Sequence, residues 1–254
     1  MLEKRGMINK KAQVTLFIII AIVIVAIVLI GFVYRDKIFI TTQKIRPEVV
    51  APVQQLVQAC LNVAANDALI SVGFQGGYVE PMTYLKTNLS EISYWYYNGE
   101  DKRPSIENIE NELSKYVDLA LPLCLRFNPL KDYNLDYNES NTTVLIKNNT
   151  VIFNSNFPIS IKKNDLVVDL SDFKETIKIN LMDIYNTANL IENDAIISSG
   201  ILSLDKYSNS KFNITIMPYD PITTIYAITD NSSLIYNQTY TFLFAIQLNE
   251  SLNK

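Results

Sequence analysis

The 254 residues include no histidine, only 7 glycines, 2 cysteines and a single tryptophan. Without histidine there is no Ser-His-Asp or Cys-His nucleophile, no imidazole general base and few of the usual zinc sites. The sparse glycines form no phosphate-binding loop, and Gly-x-Ser-x-Gly, Cys-x-x-Cys and the EF-hand loop are also missing. Asp165, Asp169 and Asp172 alternate in and beside a strand-like run, and read as its wet face rather than as a calcium site. Charged residues are 19% of the chain and the net charge is −4, which lacks the basic footprint of a nucleic-acid binder. These absences point to a non-enzymatic protein without a cofactor. An anchored hydrolase of the Ser-Lys or acid-pair type is an alternative that no residue spacing supports.

The charge that exists is unevenly placed. Lys4, Arg5, Lys10 and Lys11 precede residues 13–34, which carry no charge at all, and residues 35–254 hold 18 basic against 25 acidic side chains. Residues 16–34 alone would span roughly 28 Å as a helix, about the hydrocarbon thickness of a bilayer. β-branched residues dominate the run, yet in lipid the backbone must satisfy its own hydrogen bonds and a helix follows. The basic flank puts the N-terminus in the cytoplasm and the body outside. Tyr34-Arg35-Asp36 is a poor signal-peptidase site, so the segment is expected to stay as an anchor in membrane lipid. The expected layout is a basic cytoplasmic leader over 1–12, a transmembrane anchor helix over 13–34, a helical extracytoplasmic region over 35–130 and a β-rich extracytoplasmic domain over 131–254. The fold class is α+β, in a single-pass protein of the cell membrane.

Lys10-Lys11-Ala12-Gln13 followed by Val-Thr-Leu-Phe-Ile-Ile-Ile resembles the class III signal of archaeal type IV pilins and related surface proteins. The resemblance implies a prepilin peptidase cutting between Ala12 and Gln13 on the cytoplasmic side, and homo-oligomer or filament partners. Phe17 departs from the pattern, because the fifth mature position of such pilins often holds a glutamate that registers subunits. The anchor with the downstream Gln75-Gly76-Gly77-Tyr78 and Tyr94-Trp95-Tyr96-Tyr97 also resembles single-anchor archaeal surface proteins, a likeness that carries no activity.

In the body, Val50, Val53, Val57, Cys60, Ala64, Ala68 and Val72 recur at helical spacing, and the pattern is expected to stop before Gly73 at the Gln75-Gly76-Gly77 turn. Residues 91–97 read as a strand closed by Asn98-Gly99. Tyr94, Trp95, Tyr96 and Tyr97 there are core aromatics, or the stacking surface of a ligand- or sugar-binding receptor domain. Pro104-Ser105 opens a second helix with Ile106, Ile109, Leu113, Tyr116, Val117 and Ala120 on one face. Glu107, Glu110 and Glu112 lie on its solvated side, and Pro122 is expected to end it, with Cys124 just beyond. An oxidising exterior and a count of two predict a Cys60–Cys124 disulfide.

After a connector over 128–141, residues 142–147 and 150–154 read as a hairpin turning at Asn148-Asn149. Strands follow over 158–161, 166–170, 212–217, 222–229 and 234–247, with a helix over 179–195 and a hairpin turn at Asp230-Asn231-Ser232-Ser233. The sheet is expected to be mostly antiparallel. Asn-x-Ser/Thr triplets begin at Asn88, Asn138, Asn141, Asn148, Asn213, Asn231, Asn237 and Asn249, all beyond the apolar run, as suits an exported body able to carry sugars.

Overall fold

The computed structural model describes residues 47–88, 90–127, 130–164, 166–198, 202, 204–207 and 210–248. The leader, the Ala12–Gln13 junction, the 13–34 run and the Asn249 triplet lie outside these residues. The chain divides after Arg46, and the second unit, from Pro47, is α+β.

Helix α1, Pro47–Phe74, buries Val53, Val57, Leu61, Ala65, Ala68, Leu69 and Val72 completely. Burial extends beyond the single expected stripe because the helix has structure on more than one side. By length and composition α1 could cross a membrane, yet half of its most apolar stretch is buried inside this unit. It runs through Gly73 and closes on Gly76 and Gly77, whose φ of 68° and 96° few other residues tolerate.

Strand β1 (Tyr84–Lys86) precedes β2 (Glu91–Tyr97), which turns at Asn98 and Gly99, both at positive φ, into the short β3 (Glu100–Asp101). Ser105 then caps helix α2, Ile106–Phe127, its hydroxyl accepting the Asn108 N–H at 3.1 Å. Contrary to expectation, Pro122 lies inside α2, and Cys124 occupies its last turns. An interior proline costs about 3 kcal/mol. Burial of Leu121 and Leu125 returns roughly 1.5–3 kcal/mol each, which outweighs the lost bond. The core face of α2 is therefore Ile109, Leu113, Val117, Leu121 and Leu125, while Tyr116 and Ala120 are only partly covered.

Two sheets complete the unit. The first has the order β1-β2-β10-β9-β8, with β3 on β2; β8 is Asn213–Pro218, β9 Thr223–Ile235 and β10 Gln238–Gln247. All its pairings are antiparallel except β2 with β10, where Ala245 faces Tyr94. In the second, β6 (Thr150–Lys163) is central. It pairs with β7 (Leu166–Lys178) on one side, and with β5 (Asn141–Ile146) and β4 (Asn134–Tyr137) end to end on the other. The expected short strands at 158–161 and 166–170 are parts of β6 and β7. A register shift between Asn156 and Ile159 absorbs Pro158, which cannot donate to the ladder. β4 falls within the stretch expected to be a plain connector.

Helix α3, Leu181–Ile197, matches the expected helical run, with Leu181, Ile184, Ala188, Ile191 and Ala195 fully buried. The turn between β9 and β10 is at Tyr236-Asn237, both at positive φ, and not at Asp230-Asn231-Ser232-Ser233. Those residues form a bulge: Thr239 faces Leu234, and the next residue, Tyr240, faces Asp230. The Asp230 carboxylate fastens the bulge by accepting the Ser232 N–H at 2.9 Å and the Asn180 amide at 2.7 Å. No division falls at residue 130, since β2 and β10 share a sheet and α1 packs on β6, β7 and β10.

The disulfide joins Cys60 of α1 to Cys124 of α2, with Cα atoms 5.7 Å apart, and closes a loop with a sequence separation of 64. Constraining a loop of that length is worth about 4 kcal/mol on the chain-entropy model. Cys60→Ser and Cys124→Ser are each expected to destabilise the unit by about 2–5 kcal/mol. The double variant should lose no more than either single one, because one bond is removed in every case. Urea unfolding of the three variants checks this; additive losses would contradict it.

Candidate functional site

The aromatic strand does not present four rings to a ligand. Alternation along β2 sends Trp95 into the core, fully buried, and Tyr94 to the opposite face of the sheet, also buried. Trp95 packs against Phe244 at 4.6 Å and Phe242 at 5.8 Å between ring centres, and its indole N–H donates to the Gly76 carbonyl at 2.9 Å. Its ring thus joins the sheet to the end of α1. Tyr94 and Tyr97 touch each other at 4.8 Å, and burial raises the Tyr94 hydroxyl above its ordinary range. Tyr96 and Tyr97 are half-buried.

The acids of α2 are less idle than a solvated face suggests. Glu110 accepts the Ile146 N–H of β5 at 2.8 Å, and Glu112 accepts the Val79 N–H at 3.0 Å. Asp118 is hydrogen-bonded by Ser140 and Thr142, although burial raises its carboxyl overall. Three carboxylates of one helix therefore hold an edge strand and a loop against α2. Glu107 alone stays in solvent.

Held by Glu112, the segment after α1 leaves a cleft of about 570 Å³ along the outer side of α2. Val79, Met82, Tyr116, Leu119, Ala120 and Leu123 line it, with Glu80, Glu112 and Lys115 among its polar groups. Met82 is wholly exposed, Leu119 is 72% exposed, and Phe127, further along α2, 77%. Reading one apolar stripe on α2 hid this surface. The helix carries a second row at 116, 119, 120, 123 and 127, a surplus visible in the sequence once the core row is known.

A buried charge sits elsewhere. Glu192 of α3 is 1% exposed; its Oε2 accepts from Arg103 at 3.0 Å, and its Oε1 has no partner. Arg103 also reaches Asp101 at 2.9 Å. Burial pushes the Glu192 carboxyl up to about 7, against the pull of Arg103. Among the described residues no group of three His, Cys, Asp or Glu side chains could hold a metal.

The seven triplet asparagines within the described residues are all exposed, and none lies in a helix. Comparison of the chain with protein families, with characterised proteins and with solved structures finds no match.

Because the folded carboxyl of Glu192 titrates above its unfolded value, the fold favours its protonated form. That contribution is full below the unfolded pKa of 4.5 and is lost as pH rises through about 7. Glu192→Gln, neutral at every pH, is expected to narrow the difference in melting temperature between pH 5 and pH 8 by protecting the fold at pH 8. Melting curves at the two pH values check this. An unchanged difference would show that Glu192 does not titrate in this window.

Proposed function

We propose that the chain is a non-enzymatic, single-pass, membrane-anchored surface protein of pilin-like type, with a structural or assembly role. The observation that carries the reading is the uncharged 13–34 run behind four basic residues, ahead of a body that contains a disulfide. The positive flank supports a cytoplasmic N-terminus, and the bond supports an oxidising location for the body. Lys10-Lys11-Ala12-Gln13 supports removal of the leader by a prepilin peptidase. The exposed apolar residues Met82, Leu119, Leu123 and Phe127 suit a protein that meets copies of itself more than one that stays solitary. A sugar-binding receptor built on Tyr94, Trp95, Tyr96 and Tyr97 finds less support, since stacking needs open ring faces and Trp95 has none. A hydrolase finds no support in either motif or cleft.

The test is the N-terminal residue of the native protein in each cell fraction. Gln13 is expected, on a chain lighter than the full sequence by the mass of residues 1–12, about 1.4 kDa. Recovery from sheared surface filaments would support an assembly role. An intact Met1 throughout the membrane fraction would leave a plain anchor and remove the pilin-like reading.

A further inference from the structure

We propose that the folded body is N-glycosylated at Asn141, Asn213 and Asn237 and left bare at Asn138 and Asn231. This rests on the exported-body reading above. In the transfer, the asparagine amide nitrogen bonds to the anomeric carbon of a glycan. The bond from that carbon to the phosphate of a lipid-linked donor breaks, and one amide proton is released to solvent. The transferase must grip the asparagine amide and the hydroxyl two residues further on together, so both have to face solvent in a chain that is already folded.

In extended chain, residues i and i+2 project from the same face. That period presents two triplets whole, and a hairpin tip presents a third. Asn141 and Thr143 are both exposed on β5. Asn213 and Thr215 are both exposed on β8, which pairs among the described strands only with β9. Asn237 and Thr239 are both exposed at the hairpin tip and the start of β10.

Two other triplets have the right letters and the wrong geometry. Between β4 and β5 the chain turns Ser140 inward. It is 8% exposed, and its Oγ lies 2.8 Å from that of Ser155. At Asn231 the β9 bulge breaks the two-residue period. The asparagine is exposed, but Ser233 is 2% exposed, donates to Asp230 at 2.6 Å and accepts the Asn180 N–H at 3.1 Å. Freeing either hydroxyl means opening the fold locally. Asn88 and Asn148 fall between, because Ser90 and Thr150 are half-buried.

The protein isolated from its own membranes and digested without reduction gives the occupancy of each site by glycopeptide mass spectrometry. Glycan on Asn141, Asn213 and Asn237, with unmodified Asn138 and Asn231, is expected. Thr215→Ala should empty Asn213 and leave Asn141 and Asn237 as before. Comparable occupancy at Asn138 or Asn231 would overturn the inference, because modification would then precede folding. Bare sites throughout, with Cys60 and Cys124 oxidised in the same digest, would overturn this inference alone. Bare sites with both thiols free would remove the exported-body reading as well.

Discussion

Helix α1 packs against α2 and against strands of both sheets, and the smallness of its buried side chains sets how closely those layers approach. Ala64, Ala65 and Ala68 form a narrow strip between the larger Val57, Leu61, Leu69 and Val72. Gly73 extends the close approach to the sheet, since a Cβ there would stand 2.7 Å from the Thr241 carbonyl. A helix buried on more than one side must carry a wide apolar surface, which is why α1 also satisfies the compositional test for a membrane span. Length and hydropathy cannot separate the two uses of such a helix. The disulfide partner on α2 and the buried contacts favour the packed one.

Polar ties then hold α1 in register with distant parts of the chain. The Gln58 amide donates to the Lys174 carbonyl at 3.0 Å and to Glu175 at 2.8 Å, fastening β7. The Tyr236 hydroxyl, at the β9–β10 tip, donates to Asp67 at 3.0 Å. With Trp95 bonded to Gly76, both sheets are tied to one helix. This explains why a boundary near residue 130, plausible from the change in local pattern, does not divide the fold. The pattern there records a switch in element type, whereas compactness is decided by long-range pairing such as β2 with β10.

What was legible in the sequence was local. The α1 stripe, the β2 run with its Asn98-Gly99 turn, the helix start at Pro104-Ser105 and the α3 pattern each follow from spacing or turn chemistry within about twenty residues. The disulfide was legible because two cysteines allow one pairing. In each misreading a strong local signal was overruled by its surroundings. Pro122 should end a helix, but Leu121 and Leu125 gain more by continuing it. Asp230-Asn231-Ser232-Ser233 makes turn-like hydrogen bonds, yet they close a bulge, because Tyr236 and Asn237 supply the positive φ that a tight hairpin needs. The cleft beside α2 was hidden because Tyr116 and Ala120 of its lining were read with the core row, and only the packed structure shows which of two apolar rows faces inward. The aromatic run was legible as a strand, whereas the burial of Trp95 depended on partners in β10 some 150 residues away in sequence.

The body is stapled by a disulfide between α1 and α2, and under the function proposed above it would lie outside the cell, behind the uncharged 13–34 run. The measurement that meets this most directly is digestion of intact cells with a membrane-impermeant protease, followed by detection of an epitope within the body and of a cytoplasmic marker. The account predicts loss of the body epitope while the marker persists. A body that survives until the cells are lysed would place it on the cytoplasmic side and contradict the account.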